Sequence, residues 1–279
     1  MEDKFVHADG SHKPYALGHA PDELQRLIDQ ARFIGDLTAH VLRSAGIKSG
    51  MRVLDVGCGA GDVSFLAATL VGLEGSVIGV DKSPEAIHTA RMRASAAGLA
   101  NVRFTVQDFT ELEIEEKVDA VIGRLVLMYL ADPAAALRGL TRHLKRRGVI
   151  AFQEIDIEAC YSAPVCPLLE TALDRVKRAF AVASPQPRAA LMLGSIFEDA
   201  GLPAPQMIQG ARVERGPDSQ IYQMLAGITR TLLPVMERSG IATAKQVDVD
   251  TLAQRVRDEV VACGATVISP GYIGAWARL

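Results

Sequence analysis

The sequence predicts an α/β protein built on an open, doubly wound and mostly parallel sheet. Short runs rich in β-branched residues recur between residues 52 and 152, and a segment of helix length separates most of them. Two of these segments open with a capping residue followed by proline, Ser83-Pro84 and Asp132-Pro133. Because strands joined through a helix pair in parallel by right-handed crossovers, the alternation predicts one sheet with helices on its faces.

The predicted elements follow one another in order along the chain. An amphipathic helix is predicted over residues 21–45, where apolar residues repeat at helical spacing. Five strands follow, and β-branched apolar residues predict that both of their faces are buried. They span residues 52–56, 76–80, 102–106, 118–122 and 148–152. Later helices are predicted over 168–182 and 220–236, and two further strands over 205–213 and 266–278. The prediction is a sheet of seven strands.

The pattern divides the chain into two parts. We expect residues 1–46 to form an N-terminal segment with a capping helix. Residues 47–279 are expected to form the main domain, with helical insertions near 160–185 and 216–264. We interpret the second insertion as a lid over the carboxyl edge of the sheet, with a dimer surface as the alternative.

Composition and charge restrict the function classes. Of the 279 residues 49% are apolar and 23% charged, as in a globular chain with a sizeable core. The formal net charge of -3 argues against a general nucleic-acid binder. No apolar run approaches the roughly 18 residues that span a bilayer, and residues 1–20 lack the apolar stretch of a signal peptide. We therefore expect no membrane partner and a cytoplasmic location. The four cysteines form no CxxC pair, which predicts free thiols and no metal site.

A glycine-rich turn joins the first strand to the next helix. Gly57, Gly59 and Gly61 permit a tight turn that brings backbone amides close to a ligand at the positive end of that helix. Asp81 ends the second strand, 20 residues beyond Gly61, where a carboxylate can accept hydrogen bonds from both hydroxyls of a ribose. A plain turn with a helix-capping acid is the alternative, but Ser83 already occupies the cap position.

The spacing of this loop separates two classes of ligand. A nicotinamide dinucleotide site has the pattern GxGxxG, whereas this loop reads GxGxG and continues with Asp62. A carboxylate there crowds a pyrophosphate with negative charge. It suits S-adenosylmethionine, which has no phosphate and carries a sulfonium and an ammonium cation. Asp108 follows the third strand at the same edge, where it can accept a hydrogen bond from an adenine amino group.

Four segments carry a resemblance to a known family. They read DVGCGAG at 55–61, GVDKSP at 79–84, VQD at 106–108 and DAVI at 119–122, the last followed by LVLMY at 125–129. In this order they resemble the motifs of class I S-adenosylmethionine-dependent methyltransferases, nearest the ubiquinone and menaquinone biosynthesis type and its small-molecule relatives. The resemblance covers about residues 47–155. The N-terminal helix and segment 274–278 also resemble that subgroup.

The resemblance implies a Rossmann-like seven-stranded sheet with an antiparallel last strand and S-adenosylmethionine as the cofactor. It implies that the glycine loop cradles the methionine and ribose, that Asp81 binds the ribose, and that Asp108 with Phe109 borders the adenine. Asp55 would act from behind the loop, and Lys82 stands where the family usually has an apolar residue. The full set of predicted cofactor-binding residues is Tyr15, Asp55, Gly57, Cys58, Gly59, Gly61, Asp81, Lys82, Gln107, Asp108, Phe109 and Arg124.

Two residues are candidate catalytic bases. Glu154 follows the fifth strand, and His19 precedes the first helix; a solvent-exposed or packing position is the alternative for each. A base is not required, because alignment alone supplies effective molarities of about 10⁵ to 10⁸ M.

The segment after the fourth strand narrows the range of possible methyl acceptors. Residues 123–129 contain neither the Asn/Asp-Pro-Pro-aromatic motif nor the Pro-Cys motif of nucleic-acid methylating enzymes. We expect a small, largely apolar acceptor, methylated first of all on oxygen, with carbon or nitrogen left open. A non-catalytic S-adenosylmethionine-binding protein and an NAD-dependent oxidoreductase are the alternative functions. The sequence also leaves open whether the chain forms a homodimer.

Overall fold

The computed structural model describes residues 21–279, with side chains for Arg26 and residues 28–279. The first half of the described chain alternates strands and helices as predicted. Its elements are α1 (Pro21–Ser44), β1 (Arg52–Val56), α2 (Asp62–Val71), β2 (Ser76–Asp81), α3 (Pro84–Ala96), β3 (Val102–Val106), β4 (Val118–Arg124), α4 (Pro133–Leu140) and β5 (Leu144–Asp156).

The second half contains more short elements than the sequence predicts. They are β6 (Tyr161–Ala163), α5 (Pro167–Ala183), α6 (Ala189–Asp199), β7 (Gln206–Gly210), β8 (Val213–Arg215), α7 (Ile221–Arg238), α8 (Ala244–Val247), α9 (Val249–Ala262), β9 (Thr266–Ile268) and β10 (Gly271–Arg278). Single 3₁₀ turns occupy Leu127–Tyr129, Thr141–His143 and Ile157–Ala159. None of the helices in residues 21–279 is long and apolar enough to cross a membrane.

Seven strands form the main sheet in the order β3-β2-β1-β4-β5-β10-β7. Strand β10 runs antiparallel to both β5 and β7, while the other neighbouring strands pair in parallel. Alternate residues of a strand point to opposite faces of the sheet, and on β4 both faces are buried. Val121 belongs to one apolar cluster, and its neighbours Ala120 and Ile122 belong to the other. The predicted doubly wound fold with an antiparallel last strand is confirmed.

A second, small sheet corrects the prediction for the last strands. Strands β6, β9 and β8 form an antiparallel sheet of their own in that order. The single strand predicted over 266–278 is therefore two strands, β9 and β10, which belong to different sheets. The break falls at Ser269-Pro270, because proline has no amide hydrogen to continue a ladder. Buried Ser269 instead exchanges hydrogen bonds of 2.9 Å with the backbone of Arg212.

Helices α5, α7 and α9 pack against one another beside the carboxyl edge of the main sheet. The side chain of Glu259 on α9 accepts hydrogen bonds from the amides of Leu168 and Leu169 at 2.9 and 3.0 Å. These amides belong to the first turn of α5, where a helix has no partners of its own for them. The three helices thus form one layer, which corresponds in sequence to the insertions expected near 160–185 and 216–264.

Helix α1 lies directly on the antiparallel edge of the sheet. A Cβ atom at Gly274 on β10 would lie 2.5 Å from Val41 Cγ2, and one at Gly210 on β7 would lie 2.9 Å from Leu37 Cδ2. Both distances are too short for carbon atoms, so the close approach of α1 requires glycine at these positions. Helix α1 carries Arg26 and Gln30, which line the cavity described below. The closeness of α1 to the sheet therefore affects the position of these two side chains.

We expect Gly274→Ala to lower the free energy of unfolding by about 1–3 kcal/mol, because the added methyl group overlaps Val41 and displaces α1. The matched control is Gly139→Ala on α4, where a Cβ would meet nothing within 4 Å and φ is not positive. That control should be neutral or stabilising by up to about 1 kcal/mol, because glycine is a poor helix former. Urea denaturation of both variants checks this; equal stabilities would contradict it.

Candidate active site

A cavity of about 840 Å³ opens at the carboxyl edge of the main sheet. One part, which we call the loop half, is formed by residues 57–60 and 62–63, the ends of β2 and β3, and residues 108–110. The other part, the helix half, lies between the end of β5, helices α5 and α7, and the start of β10. The two halves meet at Arg124, the last residue of β4, and at Val126.

The loop after β1 has the left-handed backbone that its glycines predict. The φ angles of Gly57, Gly59 and Gly61 are 62°, 52° and 90°, a region that other residues rarely adopt. Gly57 also has no room for a side chain, because a Cβ would lie 2.6 Å from Val126 Cγ2. A Cβ at Gly59 would meet nothing within 4 Å. The loop is therefore held tightly from behind and leaves space on the cavity side.

Asp81 anchors this loop from the end of β2. Its Oδ2 accepts a hydrogen bond of 2.9 Å from the Gly59 amide, and its Oδ1 accepts one of 2.9 Å from the Ser83 amide. Ser83 caps α3 as predicted, with its hydroxyl 3.1 Å from the Ala86 amide. Both oxygens of Asp81 are therefore already engaged by backbone amides. Each carboxylate oxygen still has a second lone pair to offer a ligand in the cavity.

Asp62 is one half of an ion pair that the sequence analysis missed. Its Oδ1 lies 2.7 Å from Nη2 of Arg93 on α3, and Nη1 of Arg93 donates to the Ala60 carbonyl at 2.6 Å. The Arg93 guanidinium also lies over the Phe65 ring, 5.1 Å from its centroid. One arginine thus fixes the loop and balances the charge of Asp62.

The other predicted cofactor-binding residues fall into three groups. Those that line the cavity are Gly57, Cys58, Gly59, Asp81, Lys82, Gln107, Asp108, Phe109 and Arg124. Asp55 and Gly61 do not line the cavity. Asp55 accepts a hydrogen bond of 2.6 Å from the Ser64 hydroxyl, and burial raises the pKa of its carboxyl to about 7. Tyr15, together with the candidate base His19, lies outside the described residues. Burial also raises the pKa of the Cys58 thiol.

Glu154 supports the turn after β4 and does not line the cavity. Its Oε1 accepts hydrogen bonds from the Val126 and Leu127 amides at 3.0 and 2.9 Å, and the side chain is fully buried. Burial raises the pKa of this carboxyl to about 7. A base must reach the proton that it removes. The position of Glu154 therefore corrects its assignment as a catalytic base, and the structure gives it a role in holding the turn.

The helix half is walled by apolar side chains that the sequence analysis did not single out. Helix α5 contributes Leu169, Leu173, Val176 and Phe180, and α7 contributes Ile221, Met224, Leu225 and Ile228. Polar groups are few there: Arg26 and Gln30 from α1, Arg124, and Tyr272 from β10. A cavity with apolar walls and a few convergent polar groups is typical of a small-molecule site.

Comparisons with known proteins identify the family. The model of a methyltransferase domain matches residues 47–188, half of the chain. The chain belongs to this methyltransferase family. It is 38% identical over 105 residues to aklanonic acid methyltransferase from Streptomyces sp. (strain C5), covering 37% of this chain and 48% of that protein. It is 31% identical over 116 residues to demethylmenaquinone methyltransferase from Staphylococcus aureus, covering 41% of this chain and 47% of that protein.

A solved structure supports the same assignment. An S-adenosylmethionine-dependent methyltransferase from Aquifex aeolicus superposes with a TM-score of 0.52 at 25% identity, covering 70% of this chain and 90% of that one. The family and the Rossmann-like fold inferred from the motifs are thereby confirmed. The chain spans about half the length of the two curated relatives, and their names specify different acceptors.

The loop half of this methyltransferase fits the family's cofactor, S-adenosylmethionine. The space above Gly59 is open, and the Asp81 oxygens can still accept hydrogen bonds from hydroxyl groups. The carboxylates that line the loop half are Asp62, Asp81 and Asp108, which suit a ligand that carries a sulfonium and an ammonium group. Within residues 21–279, no cluster of three or more His, Cys, Asp or Glu side chains is arranged to hold a metal ion.

We expect Arg93→Met to weaken binding of S-adenosylhomocysteine by roughly tenfold, because the loop loses its tie to α3 and Asp62 loses its partner. The matched control is Arg91→Met on the same helix. Its guanidinium donates two hydrogen bonds to the Phe104 carbonyl, at 3.1 and 2.7 Å, and does not line the cavity. Calorimetric titration compares the two variants. Equal loss of affinity in both would show that Arg93 acts only through the stability of α3.

For Glu154 we expect a change in the pH dependence of stability. The folded state keeps the Glu154 proton to a higher pH than the unfolded chain, because the pKa in the fold is about 7 and the ordinary value is 4.5. Deprotonation of the unfolded chain therefore lowers the free energy of unfolding as pH rises between these values. Glu154→Gln keeps an oxygen for both amides and removes this titration, so its stability should fall less steeply over that window.

Glu154→Ala serves as the second variant. It leaves two buried amides without an acceptor and should lower the free energy of unfolding by about 1–3 kcal/mol at any pH. Urea denaturation at several pH values between 4.5 and 7 measures both effects. Parallel pH profiles for the wild type and Glu154→Gln would contradict the assignment of the buried proton to this carboxyl.

Proposed function

We propose that the protein transfers a methyl group from S-adenosylmethionine to a small, largely apolar acceptor, with oxygen as the first candidate for the methylated atom. The observation that carries the proposal is that one cavity combines two unlike halves. Its loop half has the carboxylates and backbone amides of a cofactor site, and its helix half has the apolar walls of an acceptor site. The net charge of -3 supports a small molecule over a nucleic acid as the acceptor.

The residues of the loop half have separate tasks in this proposal. Asp81 would accept hydrogen bonds from the ribose, and Asp108 beside Phe109 would border the adenine. The left-handed loop from Gly57 to Gly59 would cradle the methionine part, held in place by Arg93 and Val126. When bound, the cofactor supplies a methyl group on an electron-poor sulfonium. The protein contributes position, because this loop is fixed on three sides before any ligand binds.

The helix half would align the acceptor and exclude water from it. Alignment of two reactants is equivalent to effective molarities of about 10⁵ to 10⁸ M. In the described part of the chain, no carboxylate or imidazole lines the helix half. Tyr272 and Cys160 do line it, and burial raises the pKa of each to about 12. These two groups therefore stay protonated near neutral pH and are poor bases.

Titration calorimetry tests which cofactor the protein binds. We expect S-adenosylhomocysteine to bind and NAD not to bind. Asp81→Ala should weaken the binding at least about tenfold, because it removes a charged acceptor and releases the Gly59 amide. Asp174→Asn, an exposed acid of α5 outside the cavity, is the control for a change in charge. Tight binding of NAD would contradict the proposal.

A radiolabelled methyl donor with a panel of aromatic acids, phenols and amines tests catalysis. Turnover of any member establishes methyl transfer. Binding of the cofactor without turnover across the panel would favour the non-catalytic alternative.

A further inference from the structure

Arg124, at the boundary between the two halves of the cavity, has no ion-pair partner among the side chains that the structure describes, Arg26 and residues 28–279. Its one hydrogen bond to these residues runs from Nη1 to the Thr38 hydroxyl, at 3.0 Å. The carboxylates that face it are Asp62, already paired with Arg93, and Asp55, which is bound to the Ser64 hydroxyl. Burial lowers the pKa of the Arg124 guanidinium. The side chain is half-buried at the cavity wall. A partly desolvated cation without a paired charge favours a ligand that brings an anion.

The guanidinium is held in one place by a short hydrogen-bonded chain. The Thr38 hydroxyl on α1 accepts from Arg124 and donates to the side-chain oxygen Oε1 of Gln153 on β5, at 2.7 Å. Thr38 and Gln153 are both buried. Since neither partner is charged, this chain orients Arg124 without neutralising it. Its remaining N–H groups are available to the cavity that it lines.

Tyr272 supplies a second polar group in the same region. Its side chain is 1% exposed and lines the cavity, and its hydroxyl makes no hydrogen bond of normal geometry with the described residues. Gln30 and the charges of Arg26 and Arg124 face this hydroxyl. Burial raises its pKa to about 12, so it remains a donor. A buried hydroxyl without a partner is unfavourable, and a hydrogen bond to a ligand oxygen would remove that cost.

We propose that Arg124 and Tyr272 form a binding site for an acidic oxygen group of the acceptor, such as a carboxylate or an ionised phenol. The proposal rests on the proposed methyl transfer and names its substrate class: an apolar molecule with one anionic group. It also accounts for the helix half having no base among its described residues, because an acceptor that binds as an anion brings its oxygen already deprotonated.

The sheet order places this site on the acceptor side. Tyr272 on β10 lies two strands beyond β4, whereas the glycine loop and Asp81 follow β1 and β2 on the other side of β4. An anion that contacts both Arg124 and Tyr272 therefore extends toward the helix half. The carboxylate of the cofactor is the other anion that could reach Arg124, and the experiment separates the two.

The first measurement compares 2-naphthoate with 2-naphthamide, probes of the same shape with and without a charge, in the presence of S-adenosylhomocysteine. We expect the wild type to bind 2-naphthoate at least about tenfold more tightly, the effect of a charge-assisted hydrogen bond. Arg124→Gln should abolish this preference, and Tyr272→Phe should weaken 2-naphthoate binding severalfold. Arg146→Gln, an exposed arginine at the start of β5, is the matched control and should keep the preference.

The second measurement identifies the source of the anion. S-adenosylhomocysteine and 5′-methylthioadenosine differ by the amino-acid part that carries the cofactor's carboxylate. We expect the ratio of their dissociation constants to be similar in the wild type and Arg124→Gln. Collapse of that ratio in the variant would assign Arg124 to the cofactor and overturn the proposal.

Two results of the probe comparison would overturn the anion site. Equal binding of the two naphthalene probes by the wild type, including no binding of either, overturns the anion site. A preference that survives in Arg124→Gln, with the fold verified by thermal unfolding, overturns it as well. Both results leave binding of S-adenosylhomocysteine intact, so they differ from failure of the proposed methyl transfer, which would show as loss of cofactor binding or turnover.

Discussion

The hydrogen bond from the Gly59 amide to the Asp81 carboxylate is the interaction on which the candidate site depends, because it closes a chain of contacts across four strands. Glu154 on β5 accepts a hydrogen bond from the Val126 amide after β4. The Val126 side chain occupies the space beside Gly57 after β1. The loop then reaches Asp81 at the end of β2. Each contact joins neighbouring strand ends, so the loop shape follows from the order of the sheet.

The charges around the cavity are distributed unequally. Behind the loop, Arg93 pairs with Asp62 and binds the Ala60 carbonyl, so this arginine is satisfied by the protein itself. At the boundary of the two halves, the partner of Arg124 among the described side chains is the neutral Thr38. The first arrangement makes the loop rigid before a ligand arrives. The second stores unfavourable electrostatic energy at the point where the two proposed ligands meet, and binding of an anion would release it.

Local signals in the sequence were enough for the main sheet and the glycine loop, because strand composition and glycine spacing act over a few residues. The role of Glu154 required the structure: β5 extends to Asp156, so this acid lies within a strand and faces the turn after β4. The pairing of Asp62 with Arg93 joins residues 31 apart, which no local pattern reveals. Strands β6, β8 and β9 have three residues each, too few for an alternation to be recognised.

The small sheet has a consequence for how the protein could change its substrate range. Strand β6 directly precedes α5, β8 precedes α7, and β9 follows α9, so one three-stranded platform gathers the ends of all three helices. The cavity faces of α5 and α7 are thus supported by one sheet, and the glycine loop follows a strand of the other. A substitution in the helix half therefore reaches the glycine loop only through the cavity or the main-sheet core, and a change of acceptor pocket need not alter the loop.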